Sequence, residues 1–261
     1  MGVALRDDTS ELLNVVREDG SFFTGDGGEI LTVPRGIAHT YGILHHTTNV
    51  LLVSPRSLYE DVKIYLQKRS QKKHLFPGAW TVSCGGHMGT SIDPIKSALR
   101  EAEEELGLSM TPNQLIPLSD SRNGYPNLLK VWSYGGQVVL QMNTSVECLG
   151  SASGSLPGPV KEYIEGIGLL DFPGQGVPVG LELEAFNREF CFYFLYFPSM
   201  KQIDTAVFKD KEAEGLKELP LADFVASPRN ELTDSSETLI VNCPSLQKII
   251  RDNLPKGTEQ R

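Results

Sequence analysis

One stretch of the chain carries both a start signal and a stop signal for a helix. Asp93 can cap the free backbone amides of a first helical turn, and Pro94 suits the first helical position. Gly107 can close the other end, because glycine readily takes the left-handed conformation that follows many helices. Between these signals, apolar residues recur every three or four positions, which predicts a helix over Pro94–Leu106 that docks on a sheet. The members of this apolar stripe are Ile95, Ala98, Leu99, Ala102 and Leu106.

A second face of the predicted helix is acidic. Glu101, Glu104 and Glu105 fall within an arc of about 100° on the helix surface. Carboxylates this close repel one another unless a cation sits among them, and hard oxygen ligands select Mg²⁺ or Mn²⁺ over softer metals. The spacing therefore predicts a Mg²⁺ or Mn²⁺ site, with an ordinary solvated helix face as the alternative.

The remainder of the chain is typical of an α/β protein. β-prone segments precede the helix, as at Leu12–Val16, and a strongly β-prone segment follows it at Glu189–Phe197. Residues from about 109 to 186 form a predicted insertion with a Gly- and Pro-rich loop. A C-terminal amphipathic helix is predicted over about 245–254. We interpret residues 1–261 as a single domain.

Charge and composition narrow the class of partner. The chain has 24 Lys and Arg against 33 Asp and Glu, a net charge of -9, so a nucleic-acid polymer would repel it. The longest apolar run, Phe190–Phe197, is too short to span a membrane, and Met1–Leu13 lacks a secretory signal pattern. The four cysteines form no CxxC pair and fit a reducing compartment. We expect a cytoplasmic protein that acts on a small molecule, with no membrane and no nucleic acid as partner.

The segment Gly85–Leu108, GGHMGTSIDPIKSALREAEEELGL, resembles the Nudix box. In that box a Gly is followed by five residues, Glu, seven residues, Arg-Glu, an aliphatic residue, any residue, Glu-Glu, any residue, Gly and an aliphatic residue. Ile92 stands where the box has its first Glu. The resemblance implies a Nudix-like α/β/α sandwich with a mixed sheet, and Mg²⁺- or Mn²⁺-dependent hydrolysis of a diphosphate linked to another group. The matching residues are Gly86, Arg100, Glu101, Ala102, Glu104, Glu105, Gly107 and Leu108.

The resemblance also implies roles for individual side chains. It assigns Arg100 the task of orienting a ligand carboxylate, and an ordinary helix salt bridge is the alternative. Glu189, in the later β-prone segment, is a candidate distal metal ligand or water-orienting base, with a surface salt bridge as the alternative. The implied metal ligands are Glu101, Glu104, Glu105 and Gly86, and the implied catalytic residues are Glu104, Glu101, Arg100 and Glu189.

Cations beside the box are candidates for binding the substrate. Lys68 and Arg69, at the end of a predicted strand, are well placed to contact a phosphate, and His87 is placed to contact phosphate or metal. Trp80 either stacks on a substrate base or packs in the core. The insertion is expected to shape the substrate pocket or a homodimer contact.

Two longer segments, PRGIAHTYGILHHTTNVLL and YLQKRSQKKHLFPGAWTVSCGGHMG, are similar to the Nudix branch that contains isopentenyl diphosphate isomerases. The resemblance implies that those isomerases bind a metal through histidines at places comparable to His39, to His45 or His46, and to His87. A hydrogen-bonded structural histidine is the alternative at the first three positions.

The isomerase resemblance fails at one catalytic position. Those enzymes use a cysteine just before the Gly-His pair, where this chain has Gly85, with Cys84 one position too early. A double-bond shift needs a proton donor and an acceptor on opposite faces of the substrate, so the missing donor favours hydrolysis. Isopentenyl diphosphate isomerisation remains one alternative. The other is a module that binds its ligand without turnover, which Ile92 suggests.

Overall fold

The computed structural model describes residues 11–17, 19–41, 43–71, 78–118, 132–133, 186–187, 189–206, 213–228, 231–233, 235–236, 239–240 and 243–255. Most of the insertion predicted at about 109–186 lies outside these residues. In the described part of the chain, no helix is both long enough and apolar enough to cross a membrane. In chain order the elements are β1 (Leu12–Asn14), β2 (Thr32–Pro34), α1 (Arg35–Tyr41), β3 (His45–Val53), β4 (Lys63–Arg69), β5 (Trp80–Thr81), β6 (Cys84–His87), α2 (Pro94–Leu106), a 3-10 turn (Pro112–Gln114), β7 (Ile116–Pro117), β8 (Trp132–Ser133), β9 (Phe186–Asn187), β10 (Glu189–Tyr196), α3 (Met200–Thr205), β11 (Ala213–Pro220), α4 (Leu221–Ala226) and α5 (Leu246–Asp252).

The chain folds as two compact units. The first comprises Met1–His46 with Leu128–Phe190, and the second comprises Thr47–Asn127 with Cys191–Arg261. In the first unit, β1 pairs antiparallel with β2, and β8 pairs antiparallel with β9. Residues of β1, β2 and α1 and of the segments that follow β1 and α1 bury a small apolar core of Leu13, Val15, Val33, Ala38 and Ile43.

A larger sheet organises the second unit. Its strands lie in the order β11, β4, β3, β10, β7, with β5 paired to β4 and β6 paired to β3. The registers of β4 with β3, β5 and β11, of β3 with β6, and of β7 with β10 are antiparallel. Trp80 adds an isolated parallel bridge to Leu232. The last residues of β3 and the body of β4 thus form the middle of the sheet.

Alternation along the strands gives this sheet two apolar faces. We call the face covered by α2 the helix face, and the face covered by α4 and α5 the opposite face. On the helix face, Val50, Leu52, Tyr65, Cys84, Phe194 and Tyr196 pack against Ala98, Ala102 and Leu106. On the opposite face, Leu51, Val53, Ile64, Leu66, Tyr193 and Leu195 pack against Leu221, Phe224, Leu246 and Ile250. Helices on both faces of a mixed sheet confirm the predicted α/β/α sandwich.

Helix α2 begins and ends where its capping residues predict. The Asp93 carboxylate accepts hydrogen bonds from the amides of Ile95 and Lys96, and Gly107 closes the helix with φ 67°. A cap of the Asp93 type stabilises a helix by about 1 kcal/mol. The strand predicted at Glu189–Phe197 is observed at Glu189–Tyr196, and the C-terminal helix predicted over about 245–254 is observed at Leu246–Asp252.

Candidate functional site

Strand β6 brings a glycine against the acidic part of α2. Gly86 pairs with Thr48 of β3. A Cβ atom at position 86 would lie 2.8 Å from Cδ of Glu101 and 2.8 to 2.9 Å from its two carboxylate oxygens, closer than van der Waals contact allows. Only a residue without a side chain therefore lets this strand approach the Glu101 carboxylate.

Arg100 ties two of the carboxylates together and joins the helix to the strand. Its Nη2 lies 2.6 Å from Oε1 of Glu101, and its Nη1 donates a 2.7 Å hydrogen bond to Oε2 of Glu104. Nη2 also donates a 2.9 Å hydrogen bond to the backbone oxygen of His87. Although burial opposes the charge, the carboxylates of Glu101 and Glu104 raise the pKa of Arg100. These contacts include the helix salt bridge given as the alternative at this position, and the role of Arg100 in orienting a ligand carboxylate stays a prediction.

The third carboxylate of the acidic face, Glu105, is buried against the sheet. Its Oε2 lies 3.4 Å from Nε2 of Gln67 on β4 and 3.4 Å from the backbone nitrogen of Gly85, and both groups are oriented as donors. Burial, followed by the charges of Glu105 and Glu101, raises the pKa of the Cys84 thiol well above its ordinary value.

The three carboxylates differ in their access to solvent. The side chain of Glu101 is only 10% exposed, whereas that of Glu104 is 57% exposed. The cluster brings the oxygen atoms of three carboxylic side chains together with the guanidinium of Arg100. Such an oxygen-rich cluster can hold a hard divalent cation, with Glu104 reaching it from the solvent side.

Comparison with known proteins finds a family model that is similar to the segment around this helix. The model described as NUDIX domain matches residues 46–137, which contain β6 and the whole of α2. These residues are similar to a Nudix domain. An isopentenyl-diphosphate Delta-isomerase from Cutibacterium acnes is 32% identical over 90 residues, and Nudix hydrolase 3 from Arabidopsis thaliana is 35% identical over 77 residues. An uncharacterised Nudix hydrolase, orf19 from Rhodococcus erythropolis, is 28% identical over 108 residues.

These similarities cover part of each chain. The matched segments span 34%, 30% and 41% of this chain, and 43%, 10% and 56% of the three relatives, in the same order. Among solved structures, DR0079 from Deinococcus radiodurans aligns over 89% of this chain and 99% of its own, with a TM-score of 0.49 and 17% identity. The sequence matches to these relatives thus cover less than half of this chain.

One position of the box departs from the family pattern in structure as well as in sequence. Ile92 lies in the loop before α2, and 65% of its surface is exposed. An aliphatic side chain offers no oxygen to a cation, so this position of the Nudix domain adds no metal ligand.

The two cations predicted to contact the substrate lie on different faces of β4. By strand alternation, Arg69 follows Tyr65 and Gln67 on the helix face, the side that carries Glu105. Lys68 follows Ile64 and Leu66 on the opposite face, where its Nζ lies 5.1 Å from the centre of the Trp80 ring. The indole packs against the apolar core of that face, and Lys217 lies 5.2 Å from the same ring centre. Trp80 thus has the core position rather than a position beside the acidic helix.

The histidines before the Nudix box are largely buried in the first unit. The rings of His39 and His45 meet edge to face with their centroids 5.2 Å apart, and the Nδ1 of His45 lies 2.8 Å from the oxygen of Ile43. Burial lowers the pKa of His39 well below its ordinary value and lowers that of His45 to about 4, although the contact with Ile43 opposes the second shift. Both rings are therefore neutral near pH 7, the state in which a ring nitrogen can bind a metal.

His46 has the contacts of a structural residue. Its ring packs edge to face on Phe22 and Phe190, and its Nε2 lies 3.0 Å from the oxygen of Gly20. Burial lowers the pKa of His46 to about 4, although the contact with Gly20 opposes the shift. Of the two adjacent histidines, His46 thus follows the structural alternative.

His87 and Glu189 are both half-buried at the ends of strands. His87 is the last residue of β6, pairs with Thr47, and receives the Arg100 hydrogen bond on its backbone oxygen. Glu189 is the first residue of β10 and belongs to the first unit, whereas His87 belongs to the second. Sequence reasoning missed Gln67, which contacts Glu105, although its place two residues after Tyr65 in a predicted strand would have put it on the same face.

Gly85 has no space for a side chain. A Cβ atom there would lie 2.4 Å from the backbone oxygen of Thr48 and 2.8 Å from Oδ1 of Asn49. The backbone atom cannot retreat as a flexible side chain can, so a cysteine at this position would require β3 or β6 to shift. Cys84 is no substitute, because its side chain is buried in the core of the helix face.

Proposed function

We propose that the chain hydrolyses the diphosphate linkage of a nucleoside diphosphate derivative or another organic diphosphate, with Mg²⁺ or Mn²⁺ as cofactor. One observation carries this proposal: Arg100 gathers Glu101 and Glu104 beside Gly86, while Glu105 is buried one turn further along the same helix. The chain spans about half, or less, of the length of the curated relatives that it matches, so the activity of the whole protein is part of this proposal.

The residues present suit a hard divalent cation. Glu101, Glu104 and Glu105 offer only oxygen atoms, Gly86 lies against Glu101, and the Gly85 nitrogen lies 3.4 Å from Oε2 of Glu105. Mg²⁺ or Mn²⁺ bound there would neutralise phosphate charge and lower the pKa of a bound water. Oxygen atoms are the ligands that both cations prefer, which supports this assignment.

The side chains of this chain then have distinct tasks. Arg100 fixes the Glu101 carboxylate against Gly86, and the buried Glu105 is held by donors from the sheet. Glu104 is the exposed member and is the group that accepts a proton from the attacking water. A role for Glu189 as a second base or distal ligand stays a prediction from the sequence, because Glu189 belongs to the first unit.

The substrate contacts follow from the faces of β4. We propose Arg69, on the helix face with Gln67, as the residue that contacts the substrate phosphate, with His87 at the end of β6 as a second contact. Lys68 is less suitable, because its ammonium lies over Trp80 on the opposite face. The net charge of -9 favours a small diphosphate over a nucleic-acid polymer. A cytoplasmic location and a homodimer contact through the insertion remain parts of the proposal.

Isomerisation of isopentenyl diphosphate is the second candidate. It is supported by the names of relatives such as the Cutibacterium acnes isomerase. The packing at Gly85 speaks against it, because the position of the expected cysteine has no space for a Cβ atom. Binding without turnover is the third candidate, and it rests on the exposed Ile92 in place of the first box Glu.

One assay separates the three candidates. Cleavage of the diphosphate linkage is measured by chromatographic separation of the products for wild type, Glu104→Gln and Glu103→Gln across nucleotide sugars, dinucleotides, ADP-ribose and isopentenyl diphosphate, with and without Mg²⁺. Glu103 is a matched control, because it lies on the same helix but bonds Ser109 and is exposed. Conversion of isopentenyl diphosphate to its isomer is followed in parallel.

Hydrolysis predicts Mg²⁺-dependent cleavage that Glu104→Gln slows about 100-fold or more and that Glu103→Gln leaves near the wild-type rate. Isomer formation without cleavage of the diphosphate would replace the proposal with the second candidate. Binding of a panel compound, detected by calorimetry, with no turnover of any kind would favour the third.

A further inference from the structure

Gln67 of β4 connects the sheet to the acidic part of α2. Its Nε2 donates a 3.4 Å hydrogen bond to Oε2 of Glu105, and the two residues are only 5% and 8% exposed. The backbone amide of Gly85 in β6 donates to the same oxygen, also at 3.4 Å. Two donors that converge on one oxygen restrict the rotation of the Glu105 carboxylate.

The other two carboxylates of the acidic face are held in a different way. Arg100 contacts Glu101 and Glu104 through its two terminal nitrogens. Its further hydrogen bond goes to the backbone oxygen of His87. The guanidinium therefore positions two members of the acidic face, and donors from the sheet position the third.

The strands on either side of β4 hold the Gln67 side chain in place. Gln67 pairs with Leu216 of β11 and with Thr81 of β5, so the side chains of these two residues flank it on the helix face. The nitrogen of the Gln67 amide faces Glu105, because the amide oxygen would repel a carboxylate. Gln67 is thus a buried donor with a fixed direction toward α2.

We propose that Gln67 is a positioning residue for the metal cofactor and acts through the Glu105 carboxylate. This inference rests on the metal site of the proposed hydrolase and deepens it, because Gln67 lies outside the segment that resembles the Nudix box. Residues that orient a metal-binding side chain typically contribute about 10- to 100-fold in metal affinity or activity. Since the hydrogen bond is long, at 3.4 Å, we expect the lower end of this range.

The test measures Mn²⁺ binding by electron paramagnetic resonance, without substrate, in wild type, Gln67→Met, Gln67→Asn and Tyr65→Phe. Met has nearly the length of Gln and lacks the donor. Asn retains the amide on a side chain that is one methylene shorter, which withdraws the amide from Glu105. Tyr65→Phe is the matched control, because it removes a buried hydroxyl on the same face of β4 that donates to Glu218 instead.

We expect the dissociation constant of Mn²⁺ to rise about tenfold in Gln67→Met and in Gln67→Asn. Tyr65→Phe should lower the melting temperature and leave this dissociation constant at the wild-type value. In the cleavage assay, raising the Mg²⁺ concentration should recover most of the activity that Gln67→Met loses, because the variant loses metal affinity and keeps every reacting group.

A wild-type affinity for Mn²⁺ in Gln67→Met would overturn the inference. An equal loss of affinity in Tyr65→Phe would also overturn it, because the loss would then be a general effect of changes in β4. If wild type cleaves no compound, the hydrolase proposal fails, whereas weaker Mn²⁺ binding by both Gln67 variants still supports the inference. An absence of Mn²⁺ binding by wild type would overturn the positioning role itself.

Discussion

Replacing Gly86 with alanine tests how closely the Glu101 carboxylate must be held. The added Cβ would lie 2.8 Å from the carboxyl carbon, while ordinary contact begins at 3.4 Å, so the carboxylate has to retreat by about 0.6 Å. Arg100 opposes that movement through the 2.6 Å contact between its Nη2 and Oε1 of Glu101. A displacement of about 1 Å at a catalytic site can reduce the rate about 100-fold, so we expect kcat/KM to fall roughly 10- to 100-fold. This loss corresponds to about 1.4–2.7 kcal/mol of transition-state stabilisation.

The assay is Mg²⁺-dependent cleavage of the diphosphate linkage, followed by separation of the products, with melting temperature as a check that Gly86→Ala folds. A second-site change provides the control: Glu101→Asp shortens the side chain and makes space for the new methyl group. The double variant should then lose less activity than the product of the two single losses, because the two positions are in contact. Wild-type kcat/KM and an unchanged Mg²⁺ midpoint in Gly86→Ala would refute the account of this site.

Three further predictions follow from the packing and the charges. Gly85→Cys should produce no isopentenyl diphosphate isomerisation and should lower the melting temperature, because its Cβ would lie 2.4 Å from the oxygen of Thr48; isomer formation would contradict this packing argument. Arg69→Ala should raise KM, while Lys68→Ala should leave KM near the wild-type value, because Arg69 and not Lys68 shares a face with Gln67. Equal effects of the two variants on KM in steady-state kinetics would contradict the assignment of these residues to different faces. The pKa of His46 is about 4 in the folded chain and about 6.5 when unfolded, so the unfolded state binds more protons between these values and stability falls as pH is lowered from 7 to 4, by on the order of 3 kcal/mol. His46→Phe should flatten the corresponding part of the pH dependence in urea unfolding, and an unchanged slope would show that His46 is not its source.

Sequence was informative where the determining interactions are local. The bounds of α2 follow from Asp93 and Gly107, which lie next to the turns that they cap, and the apolar stripe gives the face that docks on the sheet. Strand alternation alone predicts that Lys68 and Arg69 lie on different faces of β4. It does not predict which of the two faces a distant helix covers, so the fold was needed to decide which residue lies on the helix face.

The site also depends on contacts that a local pattern does not contain. Every residue of β3 is buried, including the polar residues Thr47, Thr48 and Asn49. The sequence of this strand therefore shows no alternation of polar and apolar residues from which its two faces could be predicted. The need for glycine at positions 85 and 86 arises from β3 and α2, segments that approach β6 only in the folded chain. The role of the insertion at about 109–186 stays a prediction.

The adjacent glycines of β6 also limit which substitutions this sequence can tolerate. Every other amino acid carries a Cβ, so a substitution at position 85 places an atom too close to the backbone oxygen of Thr48, and a substitution at position 86 places one too close to the Glu101 carboxylate. A scan of all single substitutions should therefore find that positions 85 and 86 tolerate few residues other than glycine, for two unrelated reasons. Position 92, where Ile92 is exposed to solvent, should tolerate most substitutions.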